Sequence, residues 1–154
     1  MALSTLIGFL LMLQAPGAGL ERFFVGRTEG SGTVDVMLSG RHAVRDRGAG
    51  RMVGDTLVLE QVVEEEGKPA RRRSWRLTRS GGSEITGTIS DARGPVTGSV
   101  SGNTITLRYR MAEGPSVVQT ITLQPGGRSA RNRMSFRRFG MNVATVETTI
   151  RRVD

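Results

Sequence analysis

The sequence predicts an all-β protein built from about ten antiparallel strands. Short segments of alternating polar and apolar residues recur along the chain, and glycine-containing turns separate them. Beyond Leu20, no window combines a sustained helical period with an N-cap and a glycine stop. Strands with one apolar face, joined in series by short loops, close into a barrel or stack into a sandwich.

The predicted strands are bounded by turn residues on both sides. The clearest alternation lies in the seventh strand, where Leu107 and Tyr109 share an apolar face and Arg108 and Arg110 fall on the opposite one. In chain order the strands cover residues 24–37, 41–47, 56–66, 70–79, 84–91, 96–100, 104–112, 117–124, 131–137 and 143–152.

The segment 54–77 combines an acidic run, a turn, a basic run and the only tryptophan, Trp75. It predicts a β-hairpin in which residues 67–69 connect two strands. An amphipathic helix over residues 56–66 is the alternative. Its β-branched valines, the glutamates at the negative end of the helix dipole and the opposite charges available on the next strand favour a strand instead.

The chain has 154 residues, the size of one domain, and we assign residues 20–154 to a single β-domain. It contains no cysteine. Disulfides, thiolate metal sites, a cysteine nucleophile and a lipidated N-terminal cysteine are therefore excluded. Stability must come from packing and from the hydrogen-bonded ladder.

The net charge of +8 is divided unevenly along the chain. Residues 20–66 carry six arginines against nine acids, net −3, whereas residues 67–154 carry fifteen arginines and Lys68 against five acids, net +11. A basic half attracts nucleic acid, anionic lipid or acidic ligands. The alternative is a GC-rich coding sequence with arginines on solvated strand faces. Nucleic acid is not favoured, because few aromatic residues accompany the arginines.

Residues 1–19 have the layout of a hydrophobic leader helix. An apolar run over residues 1–13 precedes small and turn-forming residues, and it is too short to span a bilayer. We therefore expect a signal peptide and a periplasmic or secreted protein. The alternative is an uncleaved leader that gives peripheral membrane association.

Several motifs together resemble one known family. They are Phe24 with Gly26, Leu59-Glu60-x-Val62, Arg73-x-Trp75-x-Leu77, Ile85-x-Gly87-x-Ile89-x-Asp91-x-x-Gly94-x-x-x-Gly98-x-x-x-Gly102-Asn103, Tyr109 and Phe139-Gly140. With them the chain resembles the bacterial domain-of-unknown-function family 3833, which includes many lipoproteins. The resemblance implies a lipocalin-like, up-and-down antiparallel barrel in the cell envelope. The chain departs from the family at Val62, where an aromatic is usual, at residues 122–125, and in lacking the lipoprotein cysteine.

Two hairpin registers are consistent with the sequence. One places Glu60 opposite Trp75, so that Glu60, Arg73 and Trp75 share a face. The other places Glu60 opposite Arg76 and splits this set between the two faces. The family-like spacing favours the first register. We therefore predict Glu60, Arg73, Trp75 and Tyr109 as candidate ligand-binding residues inside the barrel. A structural ion pair that fixes the register is the alternative.

The glycine run with its flanking Asx residues is assigned to turns, barrel corners or the rim of a cavity. This set comprises Asp91, Gly94, Gly98, Gly102 and Asn103. The lone histidine, His42, is assigned to the surface or to a strand pair, because it has no partners for a zinc site or a catalytic triad.

The sequence contains no Walker loop and no nucleophile elbow. We expect no catalytic residue, no metal site and no cofactor. The preferred function is that of a monomeric exported barrel that binds a small apolar or amphipathic anionic, lipid-like ligand. The alternatives are a side-chain-filled barrel that acts as an envelope protein-interaction module and an unrecognised enzyme.

Overall fold

The computed structural model describes residues 19–80 and 82–154. A short 3₁₀ helix spans Leu20–Phe24. The strands are β1 (Gly26–Val36), β2 (Gly40–Val53), β3 (Thr56–Glu65), β4 (Arg71–Ser80), β5 (Glu84–Ile89), β6 (Ala92–Ser101), β7 (Thr104–Met111), β8 (Ser116–Leu123), β9 (Ser129–Arg138) and β10 (Met141–Arg152). The predicted leader lies, apart from Gly19, outside the described residues.

The ten strands form one closed barrel in which each strand pairs with its neighbours in sequence. All pairs are antiparallel, and β1 pairs with β10 from Thr28↔Arg152 to Val36↔Ala144. The prediction of an all-β, antiparallel, up-and-down barrel of lipocalin-like form is confirmed. The prediction of a strand rather than a helix over residues 56–66 is also confirmed.

Strands β2 and β6 extend furthest beyond their predicted bounds, and both extensions contain glycine. The sequence predicted that the second strand ends at residue 47, yet Gly48 and Gly50 lie within β2. A Cβ on Gly48 would lie 2.7 Å from the Thr28 hydroxyl oxygen, and one on Gly50 would clash with the Phe24 carbonyl oxygen. These glycines allow close approach inside a strand. Gly94 (φ 73°) lies in a register shift of β6, which extends that strand back to Ala92.

One end of the barrel, here called the closed end, is covered by the 3₁₀ helix. Its side chains Leu20, Phe23 and Phe24 are buried in the main core cluster. They face Ile105, Ile121 and Leu123. The opposite end, here called the open end, carries the turns β1–β2, β3–β4, β5–β6, β7–β8 and β9–β10. Within residues 19–80 and 82–154, no helix is long and apolar enough to cross a membrane.

Candidate functional site

The part of the barrel towards the open end encloses a cavity of about 570 Å³ that reaches exposed side chains at that end. Apolar side chains dominate its wall. Near the open end, four neighbouring strands (β10, β1, β2 and β3) contribute a cluster of valines, here called the valine collar, to one side of its wall. The collar consists of Val34, Val36, Val44, Val63 and Val146. The barrel is therefore filled at the closed end and hollow towards the open end.

A belt of hydrogen-bonded polar side chains crosses the interior on four neighbouring strands, β7 to β10. The Tyr109 hydroxyl donates to Gln119 Oε1 (2.9 Å) and Gln119 Nε2 donates to Asn132 Oδ1 (2.8 Å). Asn132 Nδ2 then donates to Thr148 Oγ1 (3.1 Å). All four side chains are buried. Because each finds a partner, the belt avoids most of the cost of burying polar groups.

The belt continues on β2, β3 and β4. The Trp75 indole Nε1 donates to Gln61 Oε1 (3.0 Å), and the Gln61 amide lowers the pKa of the neighbouring Asp46 carboxyl. Trp75 meets Tyr109 edge-on, with ring centroids 5.9 Å apart, which joins the two halves. Burial raises the pKa of the Asp46 carboxyl, and the Gln61 amide and the Arg73 charge offset only part of that rise.

Arg73 is the most buried charged side chain of the site, with 3% of its surface exposed. Its Nε donates to Asp91 Oδ2 (2.8 Å), and its guanidinium carbon lies 4.8 Å from the centroid of the Trp75 ring. Within the described residues its Nη2 has no hydrogen-bond partner. Burial raises the pKa of the Tyr109 hydroxyl, and the positive charge of Arg73 opposes this effect.

The mouth of the cavity is polar and mainly basic. Lys68, Arg71 and Arg138 line it and are exposed. Glu65 Oε1 lies 2.6 Å from His42 Nε2 and 3.2 Å from Lys68 Nζ. Burial alone would raise the pKa of Glu65, but its bonds to His42 and Lys68 outweigh burial and lower it. Among the described residues, no group of acidic, histidine or cysteine side chains is placed to hold a metal ion.

Both hairpin registers predicted from the sequence are wrong. The structure pairs Leu59 with Trp75 and Glu60 with Ser74. Glu60 therefore faces outward, where it accepts a hydrogen bond from the Ser74 hydroxyl (2.6 Å). The turn explains the difference, because Lys68 N bonds Glu65 O and strand pairing resumes only at Arg71. The carboxylate that pairs with Arg73 is Asp91.

The charge pairing expected across the same hairpin is also different. The outward glutamates of β3 do not face the basic run of β4, because Val62 and Val63 stand opposite Arg72 and Arg71. Glu64 instead pairs with Arg47 on β2 (3.2 Å). Hairpin pairing is thus fixed by packing and turn geometry more than by opposite charges.

The other predicted site residues lie in three different places: the cavity wall, the polar belt and a turn. Arg73 and Trp75 line the cavity, whereas Tyr109 lies behind Trp75 in the belt. Asp91 lies in the β5–β6 turn, but its side chain binds Arg73 and not a turn amide.

The glycine run does not form a cavity rim. None of Gly94, Gly98 and Gly102 is among the described residues that line the cavity. Gly98 makes room for the Thr106 carbonyl oxygen of β7, and Gly102 (φ 58°) forms a turn at the closed end. Asn103 stands in that turn and donates to the Leu123 carbonyl oxygen (3.1 Å). These residues are corner and turn residues.

Five residues of the belt were not predicted from the sequence. They are Asp46, Gln61, Gln119, Asn132 and Thr148. A usable signal was present for some of them: Gln119 lies two residues from both Val117 and Ile121, and Asn132 lies between Ala130 and Met134 with the same spacing. A polar residue on the apolar face of a strand indicates a buried, hydrogen-bonded position.

Comparison with known proteins gives one family and one fold. A family described as "Protein of unknown function (DUF3833)" matches residues 12–152. No curated protein matches the chain. Among solved structures, the S-type phycobiliprotein lyase of Guillardia theta has a TM-score of 0.69 and 7% sequence identity, over 92% of this chain and 94% of the lyase. At that identity the likeness concerns the fold alone.

We expect Asp91→Asn to lower the free energy of unfolding by about 2–3 kcal/mol, because it leaves the buried Arg73 charge unpaired. Because Asp91 is partly exposed, the expected loss of free energy lies at the low end of the range for breaking a buried ion pair. Glu60→Gln is the matched control, and its expected loss is below about 0.5 kcal/mol. Urea unfolding of the three proteins measures both. A larger loss for Glu60→Gln would mean that Glu60 is the partner of Arg73.

Asp46 should make stability depend on pH. Its pKa is higher in the folded protein than in the unfolded chain, so ionisation opposes folding, and the free energy of unfolding falls as pH rises through the folded-state pKa. Asp46→Asn should remove this decline. Urea unfolding between about pH 4 and pH 7 measures the slope.

The exposed Asp55 in the β2–β3 turn supplies the control for this experiment. Asp55→Asn should keep the wild-type slope. Glu65 is present in all three proteins, so its contribution cancels in the comparison. Equal slopes for wild type and Asp46→Asn would contradict the assignment.

Proposed function

The chain belongs to the DUF3833 family of proteins of unknown function, and we propose that its barrel is an exported, monomeric binding protein for a small amphipathic molecule with an anionic head group. The observation that carries the proposal is a hollow apolar cavity with a basic mouth. The apolar part of the ligand would lie in the cavity against the valine collar, and the head group would lie among the basic side chains at the open end.

The size of the cavity supports this proposal. Pockets that bind small molecules usually measure roughly 300–1,000 Å³ and are mostly apolar with a few placed polar groups. The cavity, at about 570 Å³, has this size and composition. Burial of an alkyl chain against the collar would be favourable in proportion to the apolar area removed from water.

The charge of the mouth supports an anionic head group. Three exposed cations, Lys68, Arg71 and Arg138, line it, whereas Glu65 is already held by His42 and Lys68. An anion at this position gains charge-assisted hydrogen bonds, and a cation would be repelled. Arg73 adds a further positive charge to the wall deeper in the cavity.

Binding of laurate tests the proposal, with dodecyltrimethylammonium as a probe of the same chain length and opposite charge. We expect laurate to bind one per barrel and the cation to bind at least about tenfold more weakly, a difference of about 1.4 kcal/mol. Isothermal titration measures both. Arg71→Gln combined with Arg138→Gln should remove most of the preference for laurate.

A cavity-filling variant locates the bound molecule. Val44→Phe adds bulk inside the collar and should weaken laurate binding by at least about tenfold. Val118→Phe, on the outer face of β8, is the control and should leave it unchanged. Equal affinities in the two variants would place the ligand outside the barrel and overturn the proposal.

Export is the part of the proposal that concerns residues 1–19. Its support is the apolar run followed by small and turn-forming residues. We expect the mature protein in the periplasmic fraction, with an N-terminus close to residue 18. Cell fractionation followed by N-terminal sequencing checks this expectation. An intact Met1 in the membrane fraction would indicate an uncleaved leader instead.

A further inference from the structure

Two turns at the open end present large apolar side chains to solvent. Leu38, in the β1–β2 turn, is 99% exposed, and Phe139, in the β9–β10 turn, is 94% exposed. Both have left-handed backbone conformations, with φ 69° and 52°. Glycine or asparagine normally occupies such positions, so bulky apolar residues here carry a backbone cost as well as an exposure cost. Paired costs of this kind indicate a function at the turn.

The two turns are neighbours in space. β1 pairs with β10, and Met37 N bonds the Val143 carbonyl oxygen (3.0 Å) next to both turns. Met37 and Met141 are also about half exposed. We call Met37, Leu38, Phe139 and Met141 the apolar tips. Because Met37 and Val143 line the cavity, the apolar tips stand beside its mouth.

Positive charge accompanies the apolar tips. Arg137 and Arg138 directly precede Phe139, and both are exposed. Their guanidinium groups donate to backbone carbonyl oxygens, of Gly140 and Glu113 respectively, and not to carboxylates. Their charges therefore stay available to an anionic partner. The closed end differs, because among residues 19–80 and 82–154 its large exposed apolar side chains are those of two valines, Val53 and Val153.

We infer that the apolar tips insert into the interface of an anionic lipid bilayer, with the open end of the barrel facing the membrane. Protruding apolar side chains flanked by arginines match both components of that interface, acyl chains and negatively charged head groups. A protein partner would favour a flat or grooved surface with a buried centre, whereas these side chains project from the apices of two hairpins. This orientation places the cavity mouth at the lipid surface.

Co-sedimentation of the full chain with vesicles tests the inference. Wild type should bind vesicles of phosphatidylglycerol and phosphatidylcholine, and it should bind phosphatidylcholine alone more weakly. Leu38→Ser combined with Phe139→Ser should reduce partitioning onto the anionic vesicles by about tenfold for each side chain removed. Val53→Ser combined with Val153→Ser, at the closed end, is the matched control and should bind like wild type.

Residues 1–18 are present in all three proteins, so any lipid binding of that segment cancels in the comparison. Serine removes the cost of exposing a large apolar side chain at both turns. Thermal melting should show that every variant is folded. The inference is overturned if wild type does not bind anionic vesicles, or if the tip variant and the control bind equally. It is also overturned if wild type is a dimer that the tip variant dissociates while vesicle binding stays unchanged.

Phe139→Trp reports the position of the tip directly. The new indole should shift its emission to shorter wavelength when anionic vesicles are added, beyond any change that the buried Trp75 shows in wild type. An unshifted spectrum would contradict insertion. Vesicle binding should persist in Val44→Phe, so failure of membrane docking and failure of ligand binding can be distinguished.

Discussion

Pairing of β1 with β10 closes ten strands into one ring, and this closure fixes the width of the interior. Barrel diameter grows with strand number, and about eight strands already enclose as much space as side chains can fill. The interior of a ten-stranded barrel must therefore be filled by a further segment of the chain, or it stays hollow. The chain uses both solutions: the 3₁₀ helix fills the closed end, and the open end keeps a cavity of about 570 Å³.

The polar belt lies between these two regions and gives the hollow barrel a defined interior. Its hydrogen bonds link side chains from six strands, and Trp75 and Tyr109 join its halves. Arg73 is the costly member, because its charge is buried and depends on Asp91. A buried ion pair contributes little net stability, but this one holds the Arg73 guanidinium in the cavity wall, over the ring of Trp75.

Three features meet at the open end: the mouth of the cavity, its basic side chains and the apolar tips. The closed end has a different character, with a buried helix and short polar turns such as that of Asn103. This asymmetry gives the barrel a direction. A ligand that is apolar at one end and anionic at the other would find matching surroundings at the cavity, at its mouth and at a lipid surface beyond it.

The alternating pattern by itself determined that the chain is all-β, where nearly every strand lies, and that Tyr109 points inward, because a period of two assigns faces within one strand. Family-like spacing, and not alternation, indicated that Arg73 and Trp75 also point inward. The motifs further indicated the family and a closed barrel. Only the tertiary structure decided which carboxylate meets Arg73. Register depends on the turn at residues 66–70, where one residue of slip exchanges inward and outward faces, so Glu60 lies outside and Asp91, from a distant turn, replaces it. The cavity too exists only through closure, since its walls come from strands far apart in sequence.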